Sequence, residues 1–311
     1  MHFNTLQHLQ QELVAGEVSC VQIVESYLEN IQKNTHLNAF LEVFGTEALE
    51  NAQQVDKKVQ NKKQGKLAGL VVGLKDNISY QGHAVSASSK ILDGYTAVYN
   101  ATVVERLLAE DAIIIGRLNC DEFAMGASNE NSAFGPVLNA QDNSRVPGGS
   151  SGGSAVAVQA NLCRVALGSD TGGSIRQPSS FTGTFGMKPT YGKVSRWGLL
   201  AYASSFDQIG PVTSSVEDMA AVLEVIAGPD ENDATVSERK VPTYLENLEP
   251  TSKKRIAVIE DCLTADGLST EIKSHVTEAI DALKADGNEV ELVSFPYLDF
   301  MVPCYYVLTT A

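Results

Sequence analysis

Two glycine-rich phrases hold the residues best suited to chemistry: "PGGSSGGSA" at 147–155 and "GSDTGGSIR" at 168–176. Between Gly148 and Ser174 lie seven of the chain's 25 glycines and five serines, in 27 positions. Glycine at this density brings backbone N–H groups close to a ligand, or clears the space around a nucleophile. A phosphate loop is excluded, because neither G-x-x-x-x-G-K-[ST] nor G-x-G-x-x-G occurs and no lysine follows the glycines. The G-x-S-x-G elbow is absent around Ser174, where Arg176 replaces its second glycine; "GSSGG" (149–153) matches it only formally and lacks a histidine partner.

The second phrase has the composition of a serine nucleophile under an oxyanion hole. Thr171, Gly172, Gly173 and Ser174 can turn successive N–H groups into one concavity, and the two glycines admit a substrate carbonyl. A tight turn joining the strand "RVALGS" to a helix accounts for the same letters. A serine hydroxyl needs a base. The five histidines, His2, His8, His36, His83 and His275, stand in no site-like context. Lys75 ends the apolar run "LAGLVVGL", where a strand would carry it inside and desolvation would disfavour its ammonium. The other reading of Lys75 is a strand-end lysine in water, paired with Asp76.

These residues must be positioned by alternating strands and helices. Ser19 and Gln22 form a capping box ahead of an apolar stripe at Val24, Leu28 and Ile31. "LNAFLEVF" (37–44) reads as a strand, the polar stretch up to Gly65 as a surface helix, and 67–77 as a buried strand. Lys57, Lys58, Lys62 and Lys63 read as a solvated face. Ser215 and Asp218 cap "VEDMAAVLEVIAG"; "RIAVIED" (255–261) and "EVELVSF" are strands, and Thr270 to Ala285 is an amphipathic helix. The alternation predicts an α/β fold with a mixed central sheet covered by helices on both faces, and the length allows one large domain as readily as two. Residues 228–255, polar and proline-dotted, read as a surface connection. Asp170 and Arg176 are expected to brace the nucleophile loop as an ion pair. Ser151 and Ser154 read as turn and helix-start residues.

Composition narrows the function classes. With 43% hydrophobic and 20% charged residues and no apolar run of about 18, the chain reads as a soluble, cytoplasmic protein without a targeting segment. Five scattered cysteines with no C-x-x-C spacing read as free thiols, not metal ligands. A net charge of −15 opposes unaided binding of nucleic acid.

Taken together and in order, "VGLKDN", "PGGSSGGSA" and "GSDTGGSIR" resemble the amidase signature family, over roughly Leu37 to Asp207. The resemblance implies that Ser174 is the acyl-ester nucleophile, Ser150 a relay serine often held through a cis peptide, and Lys75 the base. "CDEFAMGASNENSAFGP" and 186–211 resemble the A subunits of glutamyl-tRNA(Gln)/aspartyl-tRNA(Asn) amidotransferases. That likeness implies glutamine hydrolysis with no cofactor in this subunit. ATP, Mg and the charged tRNA would be handled by a B subunit, with a C subunit bracing the pair. It places Ser128 in the substrate pocket and Tyr305 or Tyr306 near bound glutamine. It also implies that 1–311 is a single amidase domain cut short at its C-terminus, with the arginine and aspartate that grip glutamine beyond Ala311. Two other readings stay open: a stand-alone amidase of the same family, and a non-catalytic scaffold that keeps the fold.

Overall fold

The computed structural model describes residues 5–249 and 252–310; His2 and positions 250–251 of the expected surface connection lie outside them. Contacts gather the chain into two compact units, Met1–Glu246 and Asn247–Ala311, where the sequence leads to one domain. The boundary falls inside the polar connection at 228–255.

The first unit opens with α1 (Leu6–Ala15) and α2 (Cys20–Lys33), whose Ser19–Gln22 capping box forms as expected. Then follow β1 (Phe40–Val43), α3 (Gly45–Gln60), β2 (Val71–Lys75), α4 (Thr102–Ala109), β3 (Ile113–Leu118), α5 (Gly152–Gln159), β4 (Val165–Asp170), α6 (Arg176–Thr182), β5 (Phe185–Gly186), β6 (Gln208–Thr213) and α7 (Val216–Ile226). The strands form one six-stranded sheet in the order β1-β3-β2-β4-β6-β5. Its centre, β3-β2-β4, is parallel, and β1, β6 and β5 run antiparallel to their neighbours. The sheet is thus mixed and flanked by helices. All five residues of β2 are buried, which is why its sequence is a near-continuous apolar run and not an alternation.

Helix α5 packs on β2, β4 and β6. Its first seven residues are buried, and Ser154 Oγ donates to the Leu167 carbonyl at 3.1 Å, pinning the helix to β4. A Cβ at Gly153 would collide with the Asn119 carbonyl, so only glycine lets the start of α5 sit this close to the end of β3.

The second unit contains β7 (Arg255–Ile259), α8 (Glu260–Leu263), α9 (Thr270–Ala285), β8 (Glu289–Val293) and α10 (Leu298–Thr309). Strands β7 and β8 pair with each other in parallel, from Arg255 opposite Glu289 to Ile259 opposite Val293. They are the strands expected from sequence, in a small sheet of their own. Among the described residues no helix is long and apolar enough to cross a membrane.

Candidate active site

The parallel centre of the sheet delivers Lys75. As the last residue of β2 it is wholly buried, and its amine Nζ lies 2.7 Å from Ser150 Oγ, 2.9 Å from Ser151 Oγ and 2.9 Å from Ser169 Oγ. Burial lowers its pKa below the ordinary lysine value; the nearby carboxylates Asp121, Asp170 and Asp207 act in the opposite direction and do not overcome it. Cys120 lies nearby as well, but burial pushes its thiol up to about 12, so it stays protonated and puts no charge on the amine.

The pairing of Lys75 with Asp76 does not occur. The Asp76 carboxylate turns to Arg117 Nη1 at 2.8 Å, to the Ser86 N–H and hydroxyl, and to the Ser88 N–H. Lys75 is left surrounded by hydroxyl groups.

Ser150 sits between β3 and α5, after a cis Gly149–Ser150 peptide bond. The wedge behind it is Asp121. Its N–H donates to the Ser150 carbonyl at 3.1 Å, and its carboxylate accepts from the N–H groups of Asn129 at 3.0 Å and Asn131 at 3.2 Å. A Cβ on Gly149 would collide with Asp121 Oδ2 and crowd the Ser128 and Asn129 N–H groups, which explains the glycine. The Ser128 main chain is therefore held against the residue preceding Ser150.

Ser174 follows β4 and is nearly buried at 8% exposure. Asp170, fully buried, organises its loop. Burial acts to raise the Asp170 pKa, but a two-point pairing with Arg176 (Nε 3.0 Å, Nη2 2.9 Å) and the N–H groups of Ile175 and Gly173 outweigh it and hold the carboxyl below its usual range. The expected ion pair thus forms. One expectation changes: the Gly173 N–H donates to Asp170 Oδ1 at 2.8 Å and is not free for an oxyanion, because the turn that carries Ser174 folds back on its own aspartate. Among the described residues the N–H groups of Thr171, Gly172 and Ser174 have no internal acceptor. The Thr171 hydroxyl donates to Asp207 at 2.5 Å, and Asp207 also accepts the N–H groups of Tyr202 and Ala203, so the loop at 200–206 is tied to the nucleophile turn.

The two glycine-rich phrases meet through the main chain, the Ser151 N–H donating to the Ser174 carbonyl at 3.0 Å. The Ser150 and Ser174 hydroxyls make no direct hydrogen bond among the described residues; such contacts are often long in a substrate-free site and tighten on binding. Tyr305 lies on α10 of the second unit, its ring edge-on to Tyr306 at 5.5 Å. Sequence reasoning missed Ser169, Asn77, Asp121 and Asp207, and read Ser151 as a turn residue. The serine of "GSD" on the strand leading to the nucleophile was the available signal for Ser169; a single aspartate in "CDEF" gave none for Asp121.

A buried amine among hydroxyls, set on a mixed sheet beside a glycine-rich turn with unpaired N–H groups, has the parts that acyl transfer by a serine requires. The chain belongs to the Amidase family, whose profile matches residues 22–311. It is 50% identical over 317 residues to the A subunit of glutamyl-tRNA(Gln) amidotransferase from Chlorobium phaeobacteroides (strain BS1), covering 100% of this chain and 66% of that protein. The corresponding A subunit of Salinibacter ruber (strain DSM 13855 / M31) is 49% identical over 313 residues, covering 100% of this chain and 61% of its own length. Among solved structures, the A subunit of glutamyl-tRNA(Gln) amidotransferase from Thermotoga maritima superposes with a TM-score of 0.84 at 38% identity, covering 100% of this chain and 66% of that one. The native peptide amidase from Stenotrophomonas maltophilia superposes with a TM-score of 0.88 at 33% identity, covering 97% and 64%. The chain thus spans just under two thirds of the length of these relatives.

Proposed function

We propose that this protein is the glutamine-hydrolysing A subunit of a tRNA-dependent amidotransferase, acting through Lys75, Ser150 and Ser174. The observation that carries the reading is the wholly buried Lys75 amine 2.7 Å from Ser150 Oγ, in a chain 50% identical to such a protein.

In this reading Ser174 Oγ attacks the side-chain amide carbon of glutamine. Its proton moves to Ser150 Oγ while the Ser150 proton moves to the neutral Lys75 amine. The oxygen that gains charge is received by the N–H groups of Thr171, Gly172 and Ser174, each such donor contributing about 10²–10³ in turnover. The proton held by Lys75 returns through Ser150 to the leaving nitrogen as the C–N bond breaks, releasing ammonia and a glutamyl ester on Ser174. Water, activated by the reverse relay, hydrolyses the ester. Ammonia then serves a partner B subunit, which holds ATP, Mg and the charged tRNA, with a C subunit bracing the assembly; the acidic chain described here leaves nucleic acid to its partner. The setting is the cytoplasm. In this reading no cofactor is needed in this subunit, and Ser128 lines the substrate pocket.

The likeness to peptide amidase, with a TM-score of 0.88, favours a second reading as a stand-alone amidase. Ammonia release from glutamine by the full-length protein, with and without partner subunits and charged tRNA, separates the two. Turnover that depends on Ser174 and Lys75 and is stimulated by the partners is expected. Hydrolysis of simple amides that partners do not stimulate would replace the first reading with the second.

A further inference from the structure

The amine of Lys75 is held by more than the relay serine. Its contacts with Ser151 Oγ and Ser169 Oγ, both 2.9 Å, complete a ring of three hydroxyls with Ser150. Behind that ring stands Asn77, two residues along the chain. Its Nδ2 donates to Ser169 Oγ at 2.9 Å, and its main-chain carbonyl accepts the Leu200 N–H at 2.8 Å.

Proton accounting assigns each hydroxyl a direction. The Ser151 hydroxyl donates to the Ser169 carbonyl at 3.1 Å, so its oxygen can only accept from the amine. A neutral amine has two N–H groups and one electron pair. With one N–H on Ser151 and the other on Ser169, the pair is left for Ser150, where the relay needs it. That arrangement requires the Ser169 oxygen to stay turned toward the amine, and the Asn77 N–H is what holds its rotamer.

Stability alone does not account for an asparagine here. Asn77 is 1% exposed, and its Oδ1 has no hydrogen-bond partner among the described residues. An apolar side chain of the same size would avoid burying an unpaired carbonyl. An aspartate would lose the N–H and set a charge beside the amine.

We propose that Asn77 is a positioning residue for the general base: through Ser169 it fixes the rotation of the Lys75 amine toward Ser150 and keeps that side of the amine uncharged. The proposal rests on the reading of Lys75 as the base. The other titratable groups facing Lys75 are Cys120, Asp121, Asp170 and Asp207, none of them on the side chain at 77.

The test is the rate at which phenylmethanesulfonyl fluoride labels Ser174 in the full-length protein, followed by mass spectrometry across pH. This reaction forms the Ser174 O–S bond, expels fluoride and sends the hydroxyl proton into the same relay, whatever the natural substrate. In wild type the rate rises with pH as Lys75 loses its proton. Asn77→Asp adds a carboxylate that favours the ammonium, so the midpoint moves up by about one pH unit or more. Asn77→Leu, uncharged and of similar size, lowers the plateau by about 10²-fold through misplacement of the amine and serves where the aspartate variant does not fold. An unmoved midpoint in a folded Asn77→Asp protein, or an unchanged plateau in Asn77→Leu, overturns the proposal. If Ser174 is labelled with these shifts but glutamine is not hydrolysed, the function proposed above falls and the role of Asn77 stands. A wild type labelled at no pH overturns both.

Discussion

Arg117 holds the Asp76 carboxylate at 2.8 Å, and in doing so draws the charge adjacent in sequence to Lys75 away from its amine. Two consecutive charged residues at one strand end thus enter separate environments. Asp76 is matched by a guanidinium and by N–H and hydroxyl donors, whereas Lys75 meets neutral hydroxyls and is desolvated. The division leaves the amine free of a direct carboxylate partner, as the proposed role of base requires.

The acid limb of activity should therefore report Lys75. Burial lowers its pKa, so the neutral form persists below the usual lysine range. Activity is expected to rise with pH through that lowered value and to fall on the acid side as the amine takes a proton. Lys75→Ala should reduce turnover by about 10²–10⁴ at neutral pH. A pH–rate profile of wild type and variant, both in assembled enzyme, checks this; a variant that retains the wild-type profile would remove Lys75 from the mechanism.

The same burial makes a prediction about stability with its own sign. The unfolded chain binds a proton at Lys75 up to about pH 10.4, while the folded chain releases it at lower pH. Between those two values the unfolded state holds more protons, so this residue makes stability rise with pH. Lys75→Met deletes that contribution. Measured by urea unfolding, the variant should compare best with wild type at the acid end of the range and lose ground steadily as pH rises toward 10.

Arg176→Ala should expose how Asp170 is kept ionised. Removing one partner of a fully buried pair costs about 3–5 kcal/mol, but the Arg176 side chain is 52% exposed, which argues for about 1–3 kcal/mol. Because the folded-state pKa of Asp170 is depressed, the wild-type contribution is complete above its unfolded value of about 3.9 and is lost as pH falls through the folded one. The stability gap between wild type and variant should thus be widest at neutral pH and narrow in acid.

Asp121 and Gly149 should be energetically coupled. Asp121→Ala leaves the N–H groups of Asn129 and Asn131 without their acceptor, at about 1–3 kcal/mol for the buried Asn129 N–H, while the exposed Asn131 can turn to water. Gly149→Ala drives a methyl into the Asp121 carboxylate. In the double variant the obstruction is gone, so the two costs should sum to more than the measured total, by about 0.5–3 kcal/mol. Strict additivity in a double-mutant cycle would show that the two do not touch in solution.

Much of this was legible from local rules. The Ser19–Gln22 box, the Ser215 cap and the span Thr270–Ala285 all appear where side-chain spacing puts them, because caps and helical stripes depend on neighbours in sequence. Lys75 and the Asp170–Arg176 pair were also accessible, the first from its position at the end of an apolar run and the second from a short loop. What escaped depends on distant segments. Asp121 acts on Gly149, Asp207 on Thr171 and Asn77 on Ser169, and no periodicity connects them. The Gly173 N–H was assigned to the anion cradle because nothing in the letters shows that an aspartate three residues earlier turns back to claim it. The pairing of β7 with β8 likewise depends on which partner a strand finds, which its own pattern does not encode.

The link from the Ser151 N–H to the Ser174 carbonyl uses only main-chain atoms. Exchanging Ser174 for alanine therefore leaves the two glycine-rich turns fastened to one another. Under the proposed mechanism such a variant is a chemically silent cast of the site, suited to capturing an intact amide for crystallography.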